Sequence, residues 1–141
     1  MQVERLRAAA EKKGVKLVET AVASVNDIQQ CVASLAGKVS GIWVPTDNVL
    51  ASGSPILAKS AAQAKIPLVA GDLSFVQGGC LATVTVSHYE LGRMTAEMGV
   101  EILEGRAKPG DMPIGSAKTT KTVWNKVAAE ALGIKIPEGA K

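Results

Sequence analysis

The sequence predicts an α/β fold in which an open, mostly parallel sheet is flanked by helices. Two apolar runs of strand length, residues 39–45 and 66–71, carry this prediction, and a stretch of small residues with helical spacing separates them. A strand, a helix and a second strand in this order give parallel neighbours, because parallel strands need a crossover connection, usually a helix. At 141 residues, the chain is expected to form a single α/β domain with its own hydrophobic core.

Composition and charge restrict the classes of function. Hydrophobic residues make up 47% of the chain and charged residues 21%, which is typical of globular proteins. The net charge is +3, but the 16 Lys and Arg residues are spread along the chain and aromatic residues reach only 3%, so no nucleic-acid partner is expected. No apolar run reaches the length of a membrane span, of about 18 residues. The first residues enter a charged helix without an apolar export signal, so the polypeptide as given is expected to be cytoplasmic.

The first third of the chain predicts a helix, a strand and a second helix. Helical spacing over residues 3–13 ends at Gly14, a residue suited to the position after a helix. Alternating apolar and polar residues over 15–19 predict a strand. Apolar residues at i, i+3, i+4 and i+7 from Ile28 to Leu35 predict the next helix. The chain therefore opens on a helix, whereas a doubly wound fold normally opens on a central strand.

Polar side chains follow the two strands that define the parallel pair. Thr46, Asp47 and Asn48 come after the first strand, and Asp72 comes after the second. Parallel strands bring these residues to one edge of the sheet, and ligands bind outside the carboxyl ends of strands in open α/β sheets. The sequence therefore predicts a candidate ligand site at this edge.

The same side chains have a structural explanation. One Thr, Asp or Asn is enough to cap a helix, and capping or turn formation is their more frequent use. Ser54 and Pro55 are typical of an N-cap followed by the first residue of a helix. A helix that begins there leaves residues 46–53 as a loop at the edge of the sheet, which favours the binding interpretation.

The second half predicts a strand, a long helix and a C-terminal tail. Phe75 lies in a loop over 73–79 with about one helical turn and is expected to pack on the domain rather than cover a ligand. Residues 80–86 predict a strand. The remaining elements are a helix over 88–104 with an apolar stripe, a connection over 107–117, a strand over 119–124, an N-cap at Asn125 and a last helix ended by Gly133.

The residue patterns that support catalysis are missing from this sequence. Gly78 and Gly79 precede a strand rather than a helix, so they do not form a phosphate-binding loop. His88 is the single histidine, so a nucleophile has few possible bases. Cys31 and Cys80 lack the short spacing of metal ligands, and the sequence does not decide whether they form a disulfide. A carboxylate pair could supply an acid and a base only in environments that separate the two pKa values. We therefore expect a binding protein rather than an enzyme, with no metal and no cofactor.

The amino-acid sequence closely resembles the ABC-transporter substrate-binding proteins of the family that includes tryptophan and tyrosine binders. Members of this family have a type I periplasmic-binding-protein fold. The most specific part is the Pro-Thr-Asp-Asn loop over 45–48 taken together with Tyr-Glu-Leu-Gly-Arg over 89–93. The other residues that carry the resemblance are Asp27 to Gln30, Leu35 to Val39, Ile66-Pro67, Gly79 to Ala82, Ile102 to Gly105, Asn125 and Gly133.

The resemblance implies two lobes that close on a small solute, which is delivered to an ABC permease. This chain matches the second lobe and the tail: residues 1–87 would form the ligand-lobe core, 88–105 a helix that belongs to the other lobe, and 106–141 a tail. The family is periplasmic or otherwise extracytoplasmic. The positions that carry over as ligand-binding residues are Asp47 and Asn48, and after them Thr46, Asp72 and Ser74.

The ligand implied by the resemblance is a small molecule such as an amino acid, whose ammonium an acid in the cleft can pair with. Val49 departs from the family pattern, which usually has Thr after Asp-Asn. Without the other lobe, the stripe of the long helix would lack a partner, so we expect a homodimer or a swapped assembly that completes the fold. The stripe consists of Leu91, Met94, Met98 and Ile102.

Two other functions are also compatible with the sequence. A phosphoacceptor receiver domain also carries an Asp at a strand end, which here would be Asp47, but the acid pair expected near its start is missing, since Glu4 and Glu11 lie on a helix. A structural or assembly module without a ligand is compatible with the long, apolar-striped helix.

Overall fold

The computed structural model describes residues 2–117 and 119–138. Within these ranges, residues 2–83 and 122–138 form one compact unit, and the residues between 84 and 121 form a second, smaller one. The helices are α1 (Gln2–Lys12), α2 (Ile28–Leu35), α3 (Asn48–Ser52), α4 (Ser54–Gln63), α5 (Leu73–Gln77), α6 (His88–Leu103) and α7 (Lys126–Leu132), with 3-10 turns at Val25–Asp27 and Pro109–Asp111. The strands are β1 (Ile42–Val44), β2 (Leu68–Ala70), β3 (Ala82–Thr85) and β4 (Lys121–Trp124).

The strands of the described residues form an open sheet in the order β1-β2-β3-β4. β1 pairs with β2 in parallel, with Val44 opposite Ala70, and β2 pairs with β3 in parallel, with Ala70 opposite Thr83. The predicted α/β class and the parallel pair formed by β1 and β2 are therefore confirmed. The observed strands are shorter than the predicted ones, since only residues with a paired neighbour keep the ladder.

The core of the larger unit lies between α2, α4 and the sheet. Ile28, Phe75 and Cys80 are fully buried, and Val44 and Leu57 pack with them. Phe75 sits in the helical turn that the sequence predicted and packs on the domain as expected. Burying such a side chain stabilises the fold by about 1.5–3 kcal/mol, so Phe75 anchors the segment that follows Asp72.

A second, smaller cluster covers the sheet near α7. Leu81, Ala82 and Ala129 are its buried members, and Ile134 and Ile136 from the end of the described chain pack against it. Gly133 ends α7 with φ of 67°, a left-handed conformation that favours glycine, and Ile134 N–H then bonds back to Ala129 O at 2.9 Å. The predicted last helix and its glycine stop are confirmed.

The predicted strand over residues 15–19 is wrong. These residues belong to no strand or helix, and Val15 and Val18 are 57% and 48% exposed. Alternation makes a segment suitable for a sheet, but a strand forms only where a neighbour accepts its backbone hydrogen bonds. The segment makes a side-chain contact instead, since the Arg7 guanidinium donates two hydrogen bonds of 2.6 and 2.7 Å to the Glu19 carboxylate.

The smaller unit is built on α6, which begins and ends close to the predicted positions. Ser87 Oγ accepts a hydrogen bond from Glu90 N–H at 3.3 Å, and Gly105 follows the helix with φ of 73°. None of the described residues of α6 is buried, and Leu103 is 87% exposed. Ion pairs along the helix surface, such as Arg93 with Glu97, add only a few tenths of a kcal/mol each, roughly 0.3–0.5. The expectation that the apolar stripe lacks a partner within the chain is only partly met, because Leu91, Met94 and Met98 are half-buried and the side chains of Met94 and Met98 lie beside Gly115. Ile102 is 37% exposed.

Candidate functional site

The carboxyl ends of β1 and β2 lie side by side, which is the edge where the sequence predicted a site. Gly71 N–H donates to Val44 O at 2.9 Å and carries the parallel pairing one residue beyond the strands. A Cβ at Gly71 would lie 3.1 Å from Thr46 Oγ1 and 3.3 Å from Thr46 N. The absence of a side chain at Gly71 therefore lets the segments after β1 and β2 meet, with Asp47 and Asp72 both at this edge.

Asp47 caps a helix, so the expectation of a loop over 46–53 is wrong. Asp47 has extended backbone angles, and its Oδ1 accepts a hydrogen bond from Leu50 N–H at 3.0 Å at the start of α3. Asn48 is the first residue of that helix. The N-cap of α4 is Gly53 rather than Ser54, and Ser54 is a buried helical residue. A short helix forms because the capped turn satisfies backbone donors that an open loop would leave to water.

Asp72 also caps a helix, at the end of β2. Its Oδ1 accepts two hydrogen bonds from Ser74, at 2.9 Å from the backbone N–H and at 2.8 Å from the hydroxyl. Asp72 is thereby the N-cap of α5. The structure brings Asp72 and Ser74 into direct contact, which the sequence had placed at the same edge without predicting a bond between them.

The candidate residues stay accessible in this arrangement. Thr46, Asp47, Asn48 and Ser74 are exposed, and Asp72 is half-buried. An ionised carboxylate has two oxygens with about four lone-pair positions, so one capping bond leaves acceptor capacity at Asp47. The edge can therefore present negative charge and hydrogen-bonding groups to a small molecule.

Gln2 is a member of this edge that the sequence did not indicate. Its Oε1 accepts a hydrogen bond from Thr46 N–H at 3.1 Å, although the two residues are 44 positions apart. A glutamine in the first turn of a helix has no spacing relation to a loop that far along the chain. No signal in a single sequence could have identified the contact.

Other kinds of site are not formed by the described residues. Among residues 2–117 and 119–138, no three His, Cys, Asp or Glu side chains come close enough to hold a metal ion. Cys31 and Cys80 are free thiols, and burial raises the pKa of Cys80 to about 12. None of the helices in these ranges combines the length and the apolar character needed to cross a membrane.

A shallow apolar cleft of about 350 Å³ lies between α4 and α7. It lies by Leu68 and Leu81, next to the amino ends of β2 and β3, and small side chains such as Ala61 and Ala128 leave it open. It is separate from the edge that carries Asp47 and Asp72.

Comparison with known proteins gives consistent matches. The family model described as ABC transporter substrate binding protein matches residues 1–140. The tyrosine-binding protein of Clostridioides difficile is 33% identical over 135 residues, which cover 96% of this chain and 39% of that protein.

Solved structures also match the chain. An ABC domain from Streptococcus pneumoniae in complex with L-Trp is 42% identical with a TM-score of 0.85, over 97% of this chain and 46% of that one. A ligand-free, open substrate-binding protein with adhesive properties from Clostridium difficile is 38% identical with a TM-score of 0.81, over 98% of this chain and 46% of that one. The chain thus spans less than half the length of these relatives.

Proposed function

The chain belongs to the ABC transporter substrate-binding protein family, and from this premise we propose that it binds a small molecule as the solute-binding component, or a part of one, of an ABC importer. The proposal rests on the carboxyl ends of the parallel strands β1 and β2, which lie side by side. Thr46 contacts Gly71 there, and the next residue of each segment is an aspartate, Asp47 or Asp72. Ligands of open α/β sheets bind at such an edge. Delivery to an ABC permease outside the cytoplasm is part of the same proposal.

The proposed ligand is an amino acid, with an aromatic one favoured. Asp47 and Asp72 would accept charge-assisted hydrogen bonds from its ammonium group, each stronger than a neutral hydrogen bond. Thr46, Asn48 and Ser74 would add hydroxyl and amide contacts at the same edge. The names of two relatives support the choice, since one is a tyrosine-binding protein and another was solved with L-Trp.

Calorimetric titration with L-tryptophan and L-tyrosine tests this proposal. We expect both to bind, and L-tryptophan to bind more tightly than indole-3-propionate, which keeps the ring and the carboxylate but lacks the ammonium. The difference should reach about tenfold or more, because a hydrogen bond to a charged group contributes about 1.5–3 kcal/mol. Equal binding of the two compounds would contradict a role for the carboxylates, and absence of heat with any amino acid would contradict the function. Stable phosphorylation of Asp47 by acetyl phosphate and magnesium would support the phosphoacceptor alternative instead.

We also propose that α6 is an association surface. The helix has no buried residue of its own and exposes Ile102 and Leu103, while Leu91, Met94 and Met98 are half-buried. Exposed apolar patches mark interaction sites. In a two-lobed protein the helix over 88–105 would pack on the other lobe, and in the chain as given it would form a homodimer. The contacting residues would be Leu91, Met94, Met98 and Ile102.

Light scattering after size exclusion tests the association. We expect a dimer for the chain as given and a monomer for the double variant Met94→Glu with Met98→Glu. The matched control is Thr95→Glu, a charge on an exposed position of the same helix. A monomeric wild-type chain at high micromolar concentration would refute the dimer.

A further inference from the structure

The segment that follows β1 is fixed by two contacts at Thr46. Gln2 Oε1 accepts a hydrogen bond from Thr46 N–H at 3.1 Å. Gly71 approaches so closely that a Cβ there would lie 3.3 Å from Thr46 N. Pro45 has no N–H, so Thr46 N–H is the first backbone donor beyond the strand. The side chain from α1 therefore binds the point at which the chain leaves β1.

The position of Thr46 determines the position of the residue after it. Asp47 follows directly, and its carboxylate is directed by the cap that it makes with Leu50 N–H at 3.0 Å. Thr46 and Asp47 share one planar peptide bond, so a shift of Thr46 displaces Asp47 and the turn that Asp47 caps. Displacements of an ångström or less at such groups are enough to weaken binding.

We infer that Gln2 is a positioning residue of the proposed ligand site, acting through Thr46 on Asp47. Its effect on affinity rests on the proposed function, whereas the contact itself does not. The group that matters is the side-chain carbonyl oxygen, because Thr46 N–H needs an acceptor. A glutamate at position 2 offers an acceptor at the same distance along the side chain, and an alanine offers none.

Amide hydrogen exchange measured by NMR tests the contact in the full chain. We expect Thr46 N–H to exchange about threefold to tenfold faster in Gln2→Ala than in the wild type, the loss that corresponds to one hydrogen bond. Gln2→Glu should restore slow exchange. Gln29→Ala is the matched control, since Gln29 is also an exposed glutamine on a helix. Melting temperatures of the variants separate this local effect from a general loss of stability.

Calorimetric titration of the same variants with L-tryptophan tests the consequence. We expect Gln2→Ala to bind more weakly than Gln29→Ala by about threefold or more, and Gln2→Glu to recover part of the affinity. Unchanged exchange at Thr46 in Gln2→Ala would overturn the inference whatever the ligand does. Faster exchange with unchanged affinity would show that Gln2 does not position the site. Absence of tryptophan binding by the wild type would contradict the proposed function and the predicted effect on affinity, while the exchange result would still decide the contact.

Discussion

Asp47 has two roles to separate, a cap observed in the structure and a charge proposed for ligand binding. Its Oδ1 accepts the hydrogen bond from Leu50 N–H at 3.0 Å. Loss of such a cap costs about 0.5–2 kcal/mol, and Asn at the same position caps about as well as Asp. Asp47→Ala should therefore lower the free energy of unfolding by about 1 kcal/mol, a fall of roughly 2–4 °C in melting temperature for a domain of this size. Asp47→Asn should leave stability close to the wild-type value.

The two variants should behave differently with the ligand. Asp47→Asn removes the negative charge and keeps the cap, so L-tryptophan should bind about tenfold to a hundredfold more weakly, the range for a hydrogen bond to a charged group. Thermal unfolding followed by circular dichroism reports the cap, and calorimetric titration reports the charge. Asp47→Asn with wild-type affinity would refute the proposed pairing with the ammonium. Equal destabilisation by both variants would refute the capping argument.

Three further predictions concern residues outside the edge. Thr83 Oγ1 is buried and has no hydrogen-bond partner among the described residues, so Thr83→Val should raise the free energy of unfolding by about 1 kcal/mol or more in urea titrations, and a loss would contradict this. The Arg7 guanidinium lowers the pKa of Glu19, so the stability from this pair is present above the ordinary Glu value of 4.5 and is lost as pH falls through the lowered folded pKa. Arg7→Met should therefore flatten the fall in stability below about pH 4.5, and an unchanged pH profile would argue against the pair. Because burial raises the pKa of Cys80 to about 12, iodoacetamide at pH 8 should label Cys31 first in the native protein. Mass spectrometry of the peptides measures the order of labelling, and labelling of Cys80 first would contradict this prediction.

Hydrophobic periodicity was sufficient to predict the elements whose packing partners lie near them in the chain. The parallel pair of β1 and β2 follows from two apolar runs with a helix of small residues between them, and Phe75 packs where a lone ring is expected to pack. Residues 15–19 show what periodicity leaves undetermined. Their alternation describes a suitable strand, but pairing depends on a neighbour that periodicity cannot identify, and the segment contacts Arg7 instead.

The sequence predicted which edge of the sheet carries the candidate site, but not which hydrogen bonds the side chains at that edge make. Parallel strands must deliver their carboxyl ends to one side, so the common location of Asp47 and Asp72 needed only the topology. Whether each carboxylate would cap a helix depended on where α3 and α5 begin. Helix boundaries are set by single hydrogen bonds, such as those from Leu50 N–H and Ser74 N–H, which composition does not fix. The contribution of Gln2 came from tertiary packing alone.

Capping and binding are compatible at this edge, and the cap favours the proposed binding. A side chain that is free to rotate in the unbound protein loses about 0.5–1.5 kcal/mol of conformational freedom when a ligand immobilises it. Asp47 has already paid part of this cost, because the bond from Leu50 N–H holds its Oδ1 before any ligand arrives. Asp72 is held likewise by two bonds from Ser74. A carboxylate has acceptor positions on both oxygens, so an ammonium group could bind without breaking the cap. The structural explanation that competed with ligand binding in the sequence thus becomes a reason to expect a preorganised site.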